Sequence, residues 1–387
     1  MDYTAIDISF LGTSTGFGRY TQGLLHSLVR MEKDQPYLLI KNLLPQEIPL
    51  YRHEEELKDR LPSLPVRWKT HVTSLRHRVY WQYFELPKTL RTWDARIFHA
   101  FDNVTVPPNI RGTARILTLY DLIPITNPRF CRMRDALAAN YLIRRAIRHA
   151  DVLVTASRYS AERILEYFPQ AESRLHMIYP GVDHQHFSPC ADPRAFAEIL
   201  AKQYHLFSSF YLLSVATLNP RRNLIRVLQA FARFLSRNPE QDFCLVIVGC
   251  RGWKEGSIFQ EVEELNLSGR VHFLDFVPDE ALVQLYQAAV GVINASMLEG
   301  FGLPVIEAMA CGAPVMCSNT TALGEIAGDA ALTFSPESSE SMLDALEQFL
   351  LNEELRQSLR ARGIEHAQRF QWDQAAAQII HIYNQFR

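Results

Sequence analysis

The sequence lacks several features that would assign it to a specialised class of protein. Its 387 residues carry a formal net charge of only -2, so no bulk charge favours nucleic acid and any anion site must be local. The longest apolar run, residues 243–250, has the length of a buried strand and falls far short of the ~20 residues that span a bilayer. The amino terminus has no basic segment ahead of an apolar run and matches no signal peptide. We therefore expect a soluble chain or, at most, one peripheral to a membrane.

Motifs for disulfides, metals and dinucleotides are also missing. None of the six cysteines forms a C-x-x-C pair, and a chain of this length needs no disulfides, so we expect reduced thiols and a cytoplasmic protein. No D-x-D pair or histidine cluster is placed to hold a metal, so no metal cofactor is expected. Neither half has a complete G-x-G-x-x-G followed by an acid about 20 residues later, which argues against a dinucleotide-dependent oxidoreductase.

Short apolar runs alternate with amphipathic stretches along the whole chain, which predicts βαβ units and parallel sheets. Strands are predicted at 5–9, 37–41, 97–100, 116–119, 152–156 and 175–178, and then at 211–215, 244–248, 271–274, 290–293, 314–317 and 331–334. Helices are predicted at 19–31, 132–149, 157–167, 224–236, 279–289, 305–311 and 341–351. Prolines and a glycine interrupt residues 179–193, which places a first domain at 1–190 and a second at 191–370. A helix within 371–387 is expected to pack back toward the first domain.

The stretch 296–312 carries the most chemical information. Gly300 and Gly302 remove two Cβ atoms from the loop that follows a predicted strand, so a ligand can approach the main chain closely. Pro304 suits the first turn of a helix, where its missing N–H is no loss. A helix that begins at the carboxyl end of a parallel strand directs free N–H groups at an anion. The pattern predicts a diphosphate site.

Two glutamates, Glu299 and Glu307, flank this turn eight positions apart. Carboxylates accept hydrogen bonds from hydroxyls in pairs, which suits the vicinal diols of a ribose and a hexose. Alternatively, Glu307 complements the helix dipole from the first turn and Glu299 is an ordinary loop acid. The glycine–proline frame around the pair favours the site.

This stretch, up to about residue 315, resembles the E-x7-E signature of glycosyltransferase family 4, whose members are retaining enzymes of the GT-B fold. The resemblance implies an α/β architecture of two Rossmann-like domains, with parallel sheets facing each other across a cleft. It also implies that Glu299 contacts the donor sugar and that Glu307 binds the nucleotide ribose. The resemblance places main-chain donor contacts in one loop, at Gly300, Phe301, Gly302 and Leu303.

Two further turns of the second half are similar to family motifs. In 215–223, Arg221 and Arg222 stand beside a helix start, where two guanidinium groups can clamp a diphosphate, with Thr217 in the same turn. Relatives more often have lysine in place of Arg222 and arginine in place of Thr217, and the alternative is two solvated arginines. The turn at 276–279 resembles the family's base-binding turn, which implies a nucleobase contact near Val277.

The first half carries two weaker motifs. Gly16 and Gly18 resemble the glycine-rich turn of the family's acceptor domain, which implies that this loop closes over the donor; the alternative is an ordinary strand-to-helix turn. Tyr120 and Asp121 follow a predicted strand where relatives often have histidine and aspartate. The resemblance carries over Asp121 as a polar site residue, and Tyr120 either substitutes for the histidine or is a buried core tyrosine.

One predicted helix is strongly basic. Between residues 129 and 148 a single acid, Asp135, accompanies six arginines: Arg129, Arg132, Arg134, Arg144, Arg145 and Arg148. One interpretation is contact with an anionic membrane or with a lipid-diphosphate-linked acceptor. The alternative is a solvated helix face with local ion pairs.

The sequence as a whole predicts a retaining glycosyltransferase that moves a hexose from a nucleotide-diphosphate sugar to a glycan or lipid-linked acceptor. Residues 252–253 and 120–124 look like those of bacterial mannosyltransferase-type members, which favours GDP-mannose over UDP-sugars. Two alternatives stay open: a sugar-nucleotide epimerase on the same fold, and a non-catalytic subunit that binds sugar nucleotides.

Overall fold

A computed structural model describes residues 3–11, 13, 15–43, 67–72 and 80–387. The chain divides into two compact units, which we call unit 1 (Met1–Gly181 with Gln371–Arg387) and unit 2 (Val182–Phe370). Residues after Gly181 belong to unit 2 because they bond to it: the Val182 N–H donates to the Phe370 carbonyl (3.1 Å), and Gln287 Nε2 donates to the Ser188 carbonyl (2.7 Å).

Unit 1 contains a parallel sheet of seven strands in the order β3-β2-β1-β4-β5-β6-β7. The strands are β1 Tyr3–Asp7, β2 Tyr37–Leu43, β3 Arg67–Val72, β4 Ala95–Ala100, β5 Ala114–Thr118, β6 Val152–Thr155 and β7 Leu175–Met177. The α-helices are α1 Gly16–Met31, α2 Leu86–Thr92, α3 Ile123–Thr126, α4 Met133–His149 and α5 Arg158–Tyr167. The strand β3 was not predicted, because it lies at the edge of the sheet and has no apolar run.

Unit 2 contains a parallel sheet of six strands in the order β10-β9-β8-β11-β12-β13. The strands are β8 Tyr211–Val215, β9 Cys244–Val248, β10 Val271–Leu274, β11 Gly291–Asn294, β12 Val315–Ser318 and β13 Ala331–Phe334. The helices are α6 Pro193–Gln203, α7 Leu224–Arg237, α8 Gly256–Glu264, α9 Asp279–Ala288, α10 Leu303–Ala310, α11 Thr321–Ala327, α12 Ser339–Leu351 and α13 Glu353–Ala367.

The terminal helix α14 (Trp372–Tyr383) packs on α1 of unit 1. Ile379 and Tyr383 are fully buried in the same apolar cluster as Leu24 and Leu28 of α1. Ser27 Oγ donates to a carboxylate oxygen at the start of α14, on Asp373 (2.8 Å). Apolar burial and this polar contact together fix α14 on unit 1.

Both sheets have a Rossmann-like order, and in each the winding direction reverses at one position. In unit 2 this position lies between β8 and β11, which are neighbours in the sheet but far apart in sequence. Loops that leave the carboxyl ends of such strands diverge and form a crevice, where α/β proteins bind ligands. The arginines of 221–222 follow β8 and Glu299 follows β11, so both loops lie at this crevice.

Candidate active site

Two arginines from the first loop and a glutamate from the second meet in the crevice of unit 2. Arg221 and Arg222 belong to a short 3₁₀ turn after β8, and each donates through Nη1 to a different carboxylate oxygen of Glu299. The glutamate side chain is 9% exposed, and those of Arg221 and Arg222 are 20% and 15% exposed. Charges removed from water to this degree are costly unless they are paired, so the three side chains stabilise one another.

A second set of hydrogen bonds holds the same two loops together. Arg221 Nη1 also donates to the Leu298 carbonyl (2.7 Å), and Arg222 Nη1 donates to Ser296 Oγ (3.1 Å). The Ser296 N–H in turn donates to Asn294 Oδ1 (3.2 Å). Sequence reasoning missed Ser296 and Asn294; the available signal was their position as polar residues directly after the apolar part of β11.

The ion pairs decide the charge of Glu299. Burial acts to raise the pKa of its carboxyl group, but the nearby guanidinium groups of Arg222 and Arg221 act against it and hydrogen-bond to the charged form. The net result is a pKa below the ordinary value, so Glu299 is a carboxylate at neutral pH. An ionised carboxylate accepts hydrogen bonds from sugar hydroxyls and does not donate protons.

The turn before α10 requires glycine at Gly302. Its φ of 111° lies in the left-handed region, and a Cβ there would stand 2.6 Å from Leu323 Cδ2. Gly302 caps α10 without a side-chain hydrogen bond, and Pro304 lies in the first turn. The helix starts at Leu303, two residues before the predicted start. A helix start without a side-chain cap leaves its first N–H groups to be satisfied by water or a ligand.

Gly300 and Phe301 complete this turn and are both buried. The ring of Phe301 packs edge-on against Phe370, with ring centroids 5.8 Å apart. The aromatic contact anchors the loop in unit 2, and it leaves the main chain, rather than the Phe301 side chain, to meet a ligand.

Glu307 lies one turn inside α10, and not in its first turn as the sequence predicted, because the helix begins earlier. Its side chain is buried, with the residue 4% exposed, and it accepts a hydrogen bond from Tyr286 Oη (3.3 Å). Glu299 and Glu307 therefore have different bonding partners within unit 2. Sequence reasoning missed Tyr286, which belongs to the preceding helix α9 and carries no motif.

The loops after β8 and β9 are packed closely together. A Cβ on Gly249 would stand 2.2 Å from the Ala216 carbonyl, and Leu218 pairs with Arg251 in an isolated parallel bridge. Thr217 is exposed on the first of these loops, whereas Val277, after β10, is 7% exposed. The predicted diphosphate turn thus follows β8 and the predicted base turn follows β10, with β9 between these two strands of one sheet.

The two predicted glycines of unit 1 have different surroundings. A Cβ on Gly18 would stand 2.1 Å from the Thr13 carbonyl, so glycine is required there by the packing of its own loop. Gly16 is exposed and is the first residue of α1, which Thr15 caps by accepting a hydrogen bond from the Gly18 N–H (3.2 Å).

Tyr120 lies in an aromatic cluster of unit 1. Its ring meets Phe17 and Tyr20 edge-on, with centroids 4.6 and 5.0 Å apart. Burial raises the pKa of Tyr120 well above the ordinary value, so its phenol is neutral. The hydroxyl is buried and has no hydrogen-bond partner within the described residues. The neighbouring Asp121 accepts a hydrogen bond from the N–H of Ile123 (3.0 Å), the first residue of α3. A neutral buried phenol can donate a hydrogen bond but cannot act as a base.

The chain matches known sequences along most of its length. A profile described as Glycosyltransferase Family 4 matches residues 15–186, and one described as Glycosyl transferases group 1 matches residues 198–366. The chain is 30% identical over 296 residues to O-antigen chain mannosyltransferase B of Escherichia coli, a match that covers 76% of this chain and 75% of the relative. It is 26% identical over 314 residues to D-inositol 3-phosphate glycosyltransferase of Corynebacterium aurimucosum, covering 79% and 70%.

Among solved structures, the chain is similar to HepE of Anabaena in complex with UDP and glucose. The TM-score is 0.75, the identity is 17%, and the match covers 100% of both chains. A likeness at this identity establishes the fold, which is GT-B with two Rossmann-like units. Together with the two profiles and the Escherichia coli relative, it shows that this chain belongs to glycosyltransferase family 4.

Proposed function

We propose that the chain is a retaining hexosyltransferase that moves mannose from GDP-mannose to a glycan or lipid-linked acceptor. The observation that carries the proposal is the cluster of Arg221, Arg222 and Glu299 at the crevice of unit 2, beside the start of α10. Two positive groups and a helix start suit a diphosphate, and a fixed carboxylate suits sugar hydroxyls. In this proposal Glu307 binds the ribose, and Val277 lies near the base.

In the proposed reaction the bond between the sugar C1 and the diphosphate oxygen breaks while C1 bonds to the acceptor oxygen. Negative charge grows on the leaving diphosphate, and the guanidinium groups and helix N–H groups stabilise that charge most when it is greatest. The acceptor proton passes to an oxygen of the leaving phosphate on the same face of the sugar, which retains the configuration. Because Arg221 and Arg222 supply the positive charge, the proposal includes no metal cofactor.

The preference for GDP-mannose is supported by the names of relatives, which include O-antigen chain mannosyltransferase B and mannosyltransferase WbdA of Escherichia coli. A thermal-shift panel of GDP- and UDP-sugars tests it, since a ligand that binds only the folded chain raises the melting temperature. We expect GDP-mannose to give the largest shift. A larger shift with a UDP-sugar would overturn the donor assignment and leave the transferase assignment standing.

The reaction type has its own test. Incubation with donor and acceptor, followed by NMR of the product, should show the anomeric configuration of the donor. An inverted product would contradict the retaining mechanism. A new sugar-nucleotide isomer formed without acceptor would identify an epimerase, and donor binding without any transfer would identify a binding subunit.

We also propose that the enzyme works in the cytoplasm, peripheral to the inner face of the membrane, where a lipid-linked acceptor is found. The support is the exposed arginines of α4 and the residues just before it. None of the helices in the described part of the chain has the length and apolarity needed to cross a bilayer.

A further inference from the structure

Exposed apolar side chains are concentrated on one part of unit 1. Of the fourteen large hydrophobic side chains exposed among the described residues, six lie on two segments, Tyr80–Glu85 and α4. They are Tyr80, Tyr83, Phe84, Met133, Leu137 and Tyr141. We call these six residues the apolar patch. Single exposed apolar residues are ordinary, whereas a cluster of this kind marks a surface that binds something.

The α4 part of the apolar patch is a regular stripe. Met133, Leu137 and Tyr141 are 80%, 70% and 68% exposed, and they recur at every fourth position. Residues spaced in this way lie on one face of a helix, one turn above another. A different face of α4 is the core face, with Ala136, Ile143 and Ile147 buried. The helix therefore has an apolar core face and a second apolar stripe directed at solvent.

The segment with Tyr80, Tyr83 and Phe84 is held beside α4 by a shared hydrogen-bond acceptor. The Val106 carbonyl accepts from Gln82 Nε2 (2.7 Å) and from Arg145 Nη1 (3.0 Å). The Arg145 guanidinium also lies 4.3 Å from the centroid of the Tyr83 ring. Since Arg145 is one turn beyond Tyr141 on α4, the two parts of the apolar patch are neighbours.

Arginines stand at both ends of the stripe. Arg129, Arg132 and Arg134 are exposed at the start of α4, and Arg144 and Arg148 are exposed near its end. Within the residues that the structure describes, none of these five pairs with a carboxylate. Arg145, the sixth arginine of the basic stretch, is buried and bonded to the main chain, so it belongs to the fold. The alternative of a solvated face with local ion pairs does not account for the apolar stripe.

We infer that the apolar patch inserts into the interfacial layer of an anionic lipid bilayer while the five exposed arginines contact lipid phosphates. Insertion of apolar side chains combined with attraction of basic ones to anionic lipid is how interfacial helices bind. A second copy of this chain fits less well, because a two-fold interface through the apolar patch would bring the arginines of one copy close to the arginines of the other, and like charges repel. The inference rests on the proposed function only for the purpose of membrane binding, which would bring the enzyme to a lipid-linked acceptor. Binding to the bilayer itself needs neither donor nor acceptor.

The test is co-sedimentation of the full chain with vesicles of phosphatidylcholine mixed with phosphatidylglycerol, and with vesicles of phosphatidylcholine alone. We expect binding to the anionic vesicles and much less to the neutral ones. The variant Met133→Ser/Leu137→Ser/Tyr141→Ser keeps every charge and should bind about tenfold more weakly or worse. The matched control, Ile199→Ser/Phe210→Ser/Leu351→Ser, removes apolar residues of unit 2 that are 58%, 56% and 49% exposed and should bind as wild type does.

A second readout separates insertion from attraction by charge alone. Leu137→Trp should show a blue-shifted emission, relative to wild type, and quenching by brominated lipid in anionic vesicles. Equal binding of wild type and the triple serine variant, or no vesicle binding even at low salt, would overturn the inference. So would a wild-type dimer that the triple variant dissociates, because the apolar patch would then be a subunit interface. A thermal shift with GDP-mannose, run on the same variant, reports on the proposed function separately.

Discussion

Arg222 and Glu299 form an ion pair between two loops that leave neighbouring strands of one sheet, β8 and β11. The two residues are 77 positions apart in sequence, and both side chains are mostly buried. The pair joins the positive charge that we propose binds the diphosphate to the carboxylate that we propose binds the sugar. A change at either residue therefore alters both the charge and the geometry of the site.

The first prediction concerns Glu299→Gln. The amide keeps the shape of the side chain but leaves Arg221 and Arg222 without a neutralising charge in a mostly buried position. We expect the free energy of unfolding to fall by about 2–3 kcal/mol, measured by urea denaturation. Loss of the fixed carboxylate should lower kcat/KM for sugar transfer about 100-fold.

Glu340→Gln is the matched control, since Glu340 pairs with Arg233 on the surface of unit 2 and both side chains are well exposed. This variant should leave stability and transfer close to wild type, because exposed ion pairs contribute little. Equal effects from the two variants would mean that the buried cluster has no special role.

The second prediction concerns pH and Arg222→Ala. Burial acts to raise the pKa of Glu299 and the two arginines act to lower it, so removing Arg222 should raise that pKa. In the wild type, whose folded-state pKa is depressed, ionised Glu299 stabilises the fold above the unfolded-state pKa. That contribution is lost as pH falls through the folded-state pKa. The acid limb of kcat/KM should move to higher pH in the variant, with transfer at neutral pH reduced about 100-fold.

Arg233→Ala provides the comparison for this pH profile, since it removes an arginine of unit 2 that lies on the surface. Its acid limb should coincide with that of the wild type. A profile for Arg222→Ala that also coincides would show that Arg222 does not set the ionisation of Glu299.

The third prediction concerns Gly302→Ala. Alanine at a φ of 111° is strained, and its Cβ would stand 2.6 Å from Leu323 Cδ2. We expect a loss of about 1–3 kcal/mol in unfolding free energy and a weaker response to donor in a thermal-shift assay. Gly256→Ala is the control: no atom lies within 4 Å of its added Cβ, and Gly256 begins helix α8. That substitution should be neutral or stabilise by under ~1 kcal/mol. Equal stability of the two variants would rule out a conformational requirement at Gly302.

The fold follows from the sequence wherever a strand is buried along its whole length. The strand at 244–248 has the predicted bounds because all five of its residues are buried, so its apolar run is continuous. The missed strand β3 has only two apolar residues, Trp68 and Val72, among its six and lies at a sheet edge, where no such run is needed. The helix α13 was also missed, since only Leu359, Gly363 and Ala367 of its fifteen residues are buried and its surface is polar almost all round.

The site was predictable as a set of loops but not as a set of contacts. Strand order alone brings the loops after β8 and β11 together, which places Arg222 near Glu299. The division of the two carboxylate oxygens between Arg221 and Arg222 depends on side-chain packing that no local pattern encodes. The bond from Tyr286 to Glu307 is of the same kind, because its two residues belong to different helices.

The last prediction concerns His99, which is fully buried and bonded to Tyr383 Oη (2.8 Å) and Thr118 Oγ1 (2.9 Å). Burial lowers the pKa of His99 to about 3. Below the ordinary value of 6.5 the unfolded chain therefore takes up a proton that the folded chain does not. The stability that neutral His99 contributes is fully present above pH 6.5. Below that pH it falls by up to ~1.4 kcal/mol per pH unit as the medium is acidified.

His99→Gln cannot take up that proton, so its unfolding free energy should fall less steeply with acidification than that of the wild type. Other partly buried histidines, such as His176 and His272, also have a lowered pKa, so the difference in slope between variant and wild type is the measure of His99. If His99→Gln keeps the wild-type slope, the imidazole is protonated in the folded chain, and the bonds from His99 to Tyr383 and Thr118 must rearrange to accept the charge.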